Sequence, residues 1–342
     1  MKNRYQILSL CLASMMASTF AQADIKIYGK IHLSADVVDI GAGGGHGLSS
    51  NASRIGFKGK EDLSYGLKGL WKIESEIDMS SQSEKLSSRN RYLGLNYGKS
   101  TLVGGYHDTP FKTIGKKIDV FPDTVADRRG VLGMDYVTDS TYDVRAENAV
   151  MFVNKSIDGL EFRFMRSAGA PNASAGDKTP ITSTSLLYKT SQYMVGGAYE
   201  IKEASVDRTA GLRLLGGVAF SSTRLTAIYE QLDVGDSNAR PGWGRSVFGL
   251  SVIHKVKMTS YKAQVFVANE LNNVANSGSR MIALGAYHKL SKAFEIYGVF
   301  ARLENQDNAA YTLTGDNHGD IYRPSGVGAN MHSVSFGGIY KF

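Results

Sequence analysis

The sequence predicts an all-β protein, a 16-stranded antiparallel transmembrane β-barrel. Three observations carry that prediction: an apolar alternating strand at the very end of the chain, a Gly- and Tyr-rich composition without a long apolar run, and hairpins with short turns at one end and long polar loops at the other. In Met331–Phe342, Val334, Phe336, Gly338, Tyr340 and Phe342 fall on one face, and Ser333, Ser335, Gly337, Ile339 and Lys341 on the other. In a water-soluble sheet such a terminal strand is an aggregation-prone edge. A strand that closes a membrane barrel has no free edge, and its aromatic end sits at the lipid–water interface.

Composition agrees. The 342 residues include 38 Gly, 6 Pro, 18 Tyr and 14 Phe. Residues 1–23 read as a cleaved secretory signal: Lys2 and Arg4 open it, Ile7–Phe20 is largely apolar but too short to span a bilayer as a helix, and Ala21-Gln22-Ala23 is an A-x-A cleavage site. The lone cysteine, Cys11, leaves with it. Residues 24–342 then form one domain with 37 basic and 32 acidic residues, a net charge of +5. That mild excess is spread out, with no run of like charge to suggest a nucleic-acid partner.

The elements follow in order. Asp24–Val37 is a strand with Ile25, Ile27, Ile31 and Leu33 on one face and Lys26, Tyr28, Lys30, His32 and Ser34 on the other. Gly41–Gly47 reads as a surface loop, since it lacks the Gly-Lys-Ser/Thr ending and following helix of a phosphate cradle. Ser53–Ile77 is a hairpin turning at Glu61–Gly66, and a second turns at Asn96–Ser100. From His107 to about Arg145 alternation lapses, and loops of that length are usually functional or disordered. Hairpins resume with close turns near Asp158-Gly159, Thr190-Ser191, Ser221-Ser222, Val256–Met258 and Leu290–Lys292. The opposite ends are long and polar, the asymmetry of an outer-membrane barrel.

Charge assigns the faces. A Lys or Arg facing lipid costs about 2–4 kcal/mol at the midplane, so Arg54, Lys58, Lys72, Arg89 and Arg91 are expected to line a wet lumen. Set across it from Asp119, Asp123 and Asp127, they would form a constriction that tunes ion preference. No His/Cys cluster or H-E-x-x-H suggests a metal or other cofactor, and no G-x-S-x-G elbow suggests a hydrolase. A barrel enzyme, a solute-specific channel and an adhesin remain the rival classes.

Several segments together resemble a known family, the general porins of the bacterial outer membrane, of the trimeric sixteen-stranded class. They are Ile27-Tyr28-Gly29-Lys30-Ile31, Ser53–Gly59, Glu61-Asp62-Leu63 with Gly66-Leu67-Lys68, Arg89 with Gly94-Leu95, Asp108-Thr109-Pro110-Phe111, Tyr287 with Leu290-Ser291-Lys292, Ile296-Tyr297 and the terminal Phe342. The chain departs from the pattern at Gly105-Tyr106-His107, where relatives often carry an Arg, and at Ala293-Phe294. The resemblance implies a multi-pass outer-membrane homotrimer, in contact with lipid and lipopolysaccharide, with a water-filled pore in each barrel for passive diffusion of ions and small hydrophilic solutes. It also implies that the loop from His107 folds inward as the constriction. The basic excess adds an expected mild preference for anions.

Overall fold

The computed structural model describes residues 24–81, 87–135, 140–169, 179–203, 208–234, 244–315, 318–319 and 322–342; the expected signal, 1–23, lies outside them. Seventeen hydrogen-bonded segments form one closed antiparallel sheet. Two of them, Gly44–Ser50 and Arg54–Asp62, lie end to end along the same edge of β1 and count as one strand, β2. The barrel is therefore sixteen-stranded. The strands are β1 (Asp24–Asp39), β2, β3 (Leu67–Glu76), β4 (Ser87–Tyr97), β5 (Ser100–Asp108), β6 (Arg145–Asn154), β7 (Leu160–Ser167), β8 (Ile181–Lys189), β9 (Tyr193–Glu203), β10 (Arg208–Phe220), β11 (Thr223–Val234), β12 (Arg245–Val256), β13 (Thr259–Ala268), β14 (Ser279–Lys289), β15 (Phe294–Asn305) and β16 (Met331–Lys341).

Each strand pairs with its sequence neighbours, and β16 closes on β1 from Lys30↔Lys341 to Asp39↔His332. Closure matters because lipid offers the backbone no hydrogen-bond partners. Phe342 extends it. Its carbonyl accepts from Gly29 N at 2.9 Å, its own N donates to Gly29 O at 3.2 Å, and its ring lies where a Cβ on Gly29 would stand. The terminal strand has the expected faces: Val334, Phe336 and Tyr340 point outward, Ser333 and Ser335 inward. On β1, Ile25, Ile27 and Ile31 are exposed while Lys30, His32, Ser34 and Asp36 are buried.

Tyr97, Tyr188, Tyr193, Phe220, Tyr261, Phe294, Tyr340 and Phe342 are exposed at the short-turn end, an interfacial aromatic belt. The turns fall where the sequence puts them, the second hairpin tightening to Gly98-Lys99 with Gly98 at φ 55°. One expectation changes. Only Ile40–Gly43 leaves the sheet; Gly44–Gly47 are already paired with β1 as the upper part of β2. The break in β2 falls at Asn51-Ala52-Ser53, with Ala52 at φ 49°, and Ser53 Oγ there bonds both the N and the O of His32.

Truncating Phe342 to Ala should destabilise the barrel by about 1–2 kcal/mol, roughly half the cost for a fully buried Phe. The check is the temperature at which the folded band converts to the unfolded one in detergent gel electrophoresis, which should fall.

Candidate channel constriction

Residues 109–135 and 140–144 leave the wall between β5 and β6 and bond to inward side chains of the far wall. The segment opens with helix α1 (Pro110–Gly115), capped by Thr109, whose side chain accepts from Lys112 N at 3.2 Å, with Pro110 in the first turn. Phe111 N donates to Ser183 Oγ (3.1 Å), Ser251 Oγ to Ile118 O (3.0 Å), Gln264 Nε2 to Ala126 O (2.6 Å), and Gly133 N to Glu230 Oε1 (2.8 Å). Phe111, Ile114, Ile118, Phe121, Val125, Val131 and Leu132 are almost wholly buried. They join Leu215, Ile228, Val247, Phe266 and Met281 of the wall in one apolar cluster. The wall thus presents an apolar face to the loop, with a few polar side chains as tie points.

Between the loop and β1–β4 lies a cavity of about 270 Å³. Lys30, Arg54, Arg89, Lys341, Lys112, Lys116, Arg128 and Arg129 line it with Asp119 and Asp123. Eight cations thus face two carboxylates. Most of the cations are neutralised from behind. Arg89 donates to Glu74 (2.8 Å) and Glu76 (2.5 Å), and Lys116 to Asp108 (2.6 Å). Lys30 meets Asp123 across the passage at 2.8 Å. No described carboxylate lies within ion-pair distance of Arg54 or Lys341, though the Arg54 charge also helps hold Asp123 ionised; among the described residues Arg54 donates to Ala52 O alone, at 3.3 Å.

The eight residues expected at the site divide. Arg54, Arg89, Asp119 and Asp123 come together at the cavity. Lys58 and Lys72 sit on the same wall but off the cavity, 5.0 and 5.5 Å from the Tyr28 ring centroid, with Lys72 also 3.1 Å from Glu74. Arg91 is a correction. It stands across from Ile73, on the outward row that includes Leu93, and donates to Ser75 Oγ. A register shift between Ile73 and Ser75 is the cause: Arg89 and Asn90 both stand opposite Glu74, which turns Arg89 inward and leaves Arg91 out.

Asp127 is a second correction. It is fully buried and works inside the loop. Its carboxylate accepts from Asp123 N (2.8 Å), Arg129 N (2.9 Å) and the Arg129 guanidinium (2.9 and 2.7 Å), capping the turn Arg128–Gly130. Lys30, Lys112, Lys116, Arg128, Arg129 and Lys341 complete the cavity's charged lining and were not among the expected site residues. The polar phase of β1 does place Lys30 in the lumen, and that was the available signal.

The loop acids do not ionise alike. Burial pushes each of them up. For Asp123, Lys30 and Arg129 overcome it and hold the carboxyl well below its usual range. Asp119 has burial and the Asp127 charge against it, and its pKa is pushed up to about 8. Its nearest guanidinium, Arg128 Nε, lies 3.6 Å away, beyond hydrogen-bond reach, and the other side of Arg128 is taken by Asp143. Burial takes Lys112 the other way, down to about 7, partly offset by Asp108.

Sequence comparison decides the family. Residues 9–308 match the family model of Gram-negative porins. The chain belongs to that family. It is a multi-pass protein of the outer membrane. Over 137 residues, 36% of the chain, this porin is 31% identical to the major outer membrane protein P.IB of Neisseria meningitidis, and over 126 residues it is 27% identical to P.IB of Neisseria gonorrhoeae. The matches span 40% and 35% of those relatives' lengths. Among solved structures, the porin is similar to an anion-selective porin from Comamonas acidovorans, with a TM-score of 0.78, 18% identity and coverage of 94% of this chain and 100% of that one. It is also similar to the trimer form of OmpT from Vibrio cholerae, with a TM-score of 0.71, 14% identity, and coverage of 94% and 99%. These likenesses show the fold.

The Lys30–Asp123 pair ties the loop to β1. Asp123→Asn should cost about 1–3 kcal/mol in urea unfolding followed by Trp fluorescence, less than the 3–5 kcal/mol of breaking a dry buried pair because the lumen admits water. Lys30→Met/Asp123→Asn should recover most of the loss.

Proposed function

We propose that the protein is a passive channel for ions and small hydrophilic solutes, mildly selective for anions, with the cavity between the loop and β1–β4 as its constriction. The observation that carries this reading is the pair of cations, Arg54 and Lys341, that line the cavity and form no ion pair with any carboxylate among the described residues. The loop's acids are largely spent on its own arginines or on Lys30, so the basic side of the passage is left in excess. A small anion crossing there meets guanidinium and ammonium groups in place of part of its hydration shell. The Comamonas neighbour is described as anion-selective, which supports the same sign.

We further propose that residues 1–23 are removed on export and that three copies assemble, each with its own pore; the OmpT trimer supports the second point. Membership in a family of porins favours a channel over a barrel enzyme.

Reversal potentials in a salt gradient across a planar bilayer test the selectivity. Anions should permeate a few-fold better than cations, and Arg54→Glu/Lys341→Glu should abolish or invert the preference. Liposome swelling should show a smooth size cut-off with sugars; saturation would mark a solute-specific channel instead.

The preference should also fall between pH 6 and 9. Asp119, raised to about 8, is neutral below that pH and gains a negative charge above it. Lys112, lowered to about 7, is positive below that pH and neutral above it. Both changes remove positive charge from the passage as pH rises. Asp119→Asn should delete the upper part of the dependence.

A further inference from the structure

Two arginines face outward near the long-loop end of the barrel. Arg280 is the second residue of β14, and Arg302 lies three residues before the end of β15; both are more than half exposed. Glu304 stands between them. It accepts from Arg280 Nε at 3.0 Å on one oxygen, and its other oxygen forms an ion pair with the Arg302 guanidinium at 3.0 Å. Two cations share one acid, which fixes the guanidinium groups side by side and leaves a net positive charge. His332 follows Arg302 in the ladder, with Asp39 beyond it. None of these side chains reaches the lumen.

Toward the membrane centre the same wall is concave. A hollow of about 750 Å³ opens on β10–β14. Its outward floor is small: Gly216 pairs with Ala227, and Ala263 lies two strands further on. A Cβ added at Gly216 would meet nothing within 4 Å. Leu250, Ile282 and Leu284 rim it, and Ile282 is paired with Arg302. The hollow therefore runs up to the guanidinium pair.

Neither feature serves the channel. Arginine on the lipid face is tolerated near the interface and costly deeper, so this pair sits level with head groups. Guanidinium forks match phosphate oxygens in two-point contact. An apolar hollow directly beneath suits an acyl chain. We propose that Arg280 and Arg302 bind the phosphate of a phosphorylated outer-leaflet lipid whose acyl chain occupies the hollow lined by Gly216, Ala227, Ala263 and Leu284.

The test is native mass spectrometry of the purified full-length barrel in detergent with lipid A as the probe. The wild type should retain lipid A, and should retain chemically dephosphorylated lipid A at least tenfold less. Arg280→Ala/Arg302→Ala should retain intact lipid A at least tenfold less, with single-channel conductance unchanged. Glu304→Gln, which removes the acid between the forks, should retain at least as much as wild type. Ala263→Trp, which fills the hollow, should retain several-fold less. Should the double alanine variant not fold, Arg280→Lys/Arg302→Lys keeps the charge but loses the forks and should retain several-fold less. Equal retention of the dephosphorylated lipid, or undiminished retention by the folded arginine variant, overturns the proposal. So does a fall in the oligomeric mass of the lipid-free arginine variant, which would make the pair a contact between copies.

Discussion

Closure of the sheet on itself is the constraint from which the rest of the molecule follows. Within lipid every peptide group must be bonded inside the protein, so the first and last strands have to meet. The sixteen residues of β1 serve β16 on one edge and both segments of β2 on the other. The kink at Asn51-Ala52-Ser53 falls where β1 passes from one β2 segment to the other. Side chains from β1 turn that seam into a polar network: Asn51 Nδ2 donates to Ser34 Oγ at 2.7 Å, and His32 meets Tyr297 of β15, over Gly337 of β16, at 2.9 Å. The closing seam is thus also the wet side of the barrel.

A closed wall of sixteen strands leaves an interior that side chains alone do not fill. The loop after β5 packs into it against β10–β14, and the wall is built to receive it there. Leu215, Ile228, Val247, Phe266 and Met281 point inward on β10–β14 and are buried beneath the loop, while the inward positions of β1–β4 carry Lys30, Arg54, Lys72, Glu74 and Arg89. The loop adheres to the apolar half and water keeps the charged half. Where the passage runs is therefore decided by which half of the wall is greasy, and the charges then decide what it favours.

That division also explains what the sequence made legible. On β1, β2 and β16 the lumen side is polar or small and the lipid side apolar, so a period of two stands out and the strands, faces and turns are readable. On β12–β14 both faces are largely apolar, because one meets lipid and the other meets the loop; stretches such as Val265-Phe266-Val267 carry no alternation to read. Site residues were harder. Arg54 and Arg89 could be placed by the cost of charge in lipid. Arg91 obeys the same rule on paper, yet a one-residue bulge reverses its face, and bulges leave no mark in hydropathy. Asp127 looked like its neighbours Asp119 and Asp123, because capping is settled only when the loop's turns are formed.

The placement of the loop's own arginines underlies the proposed sign of the passage. A loop carrying only acids would satisfy the wall cations one by one and leave the constriction near neutrality or negative. Here Arg129 closes on Asp127, Arg128 and Arg213 of β10 share Asp143, and of the aspartates between 119 and 127 only Asp123 reaches the wall, at Lys30. Asp119 is left buried without a hydrogen-bonding cation, so burial keeps its proton on near neutral pH. Of the three acids in this stretch, one is spent on the wall, one within the loop, and one holds no charge. Arg54 and Lys341 on the opposite side form no ion pair with a described carboxylate, and the proposed preference for anions rests on this local imbalance at the cavity and not on an excess of bases in the chain as a whole.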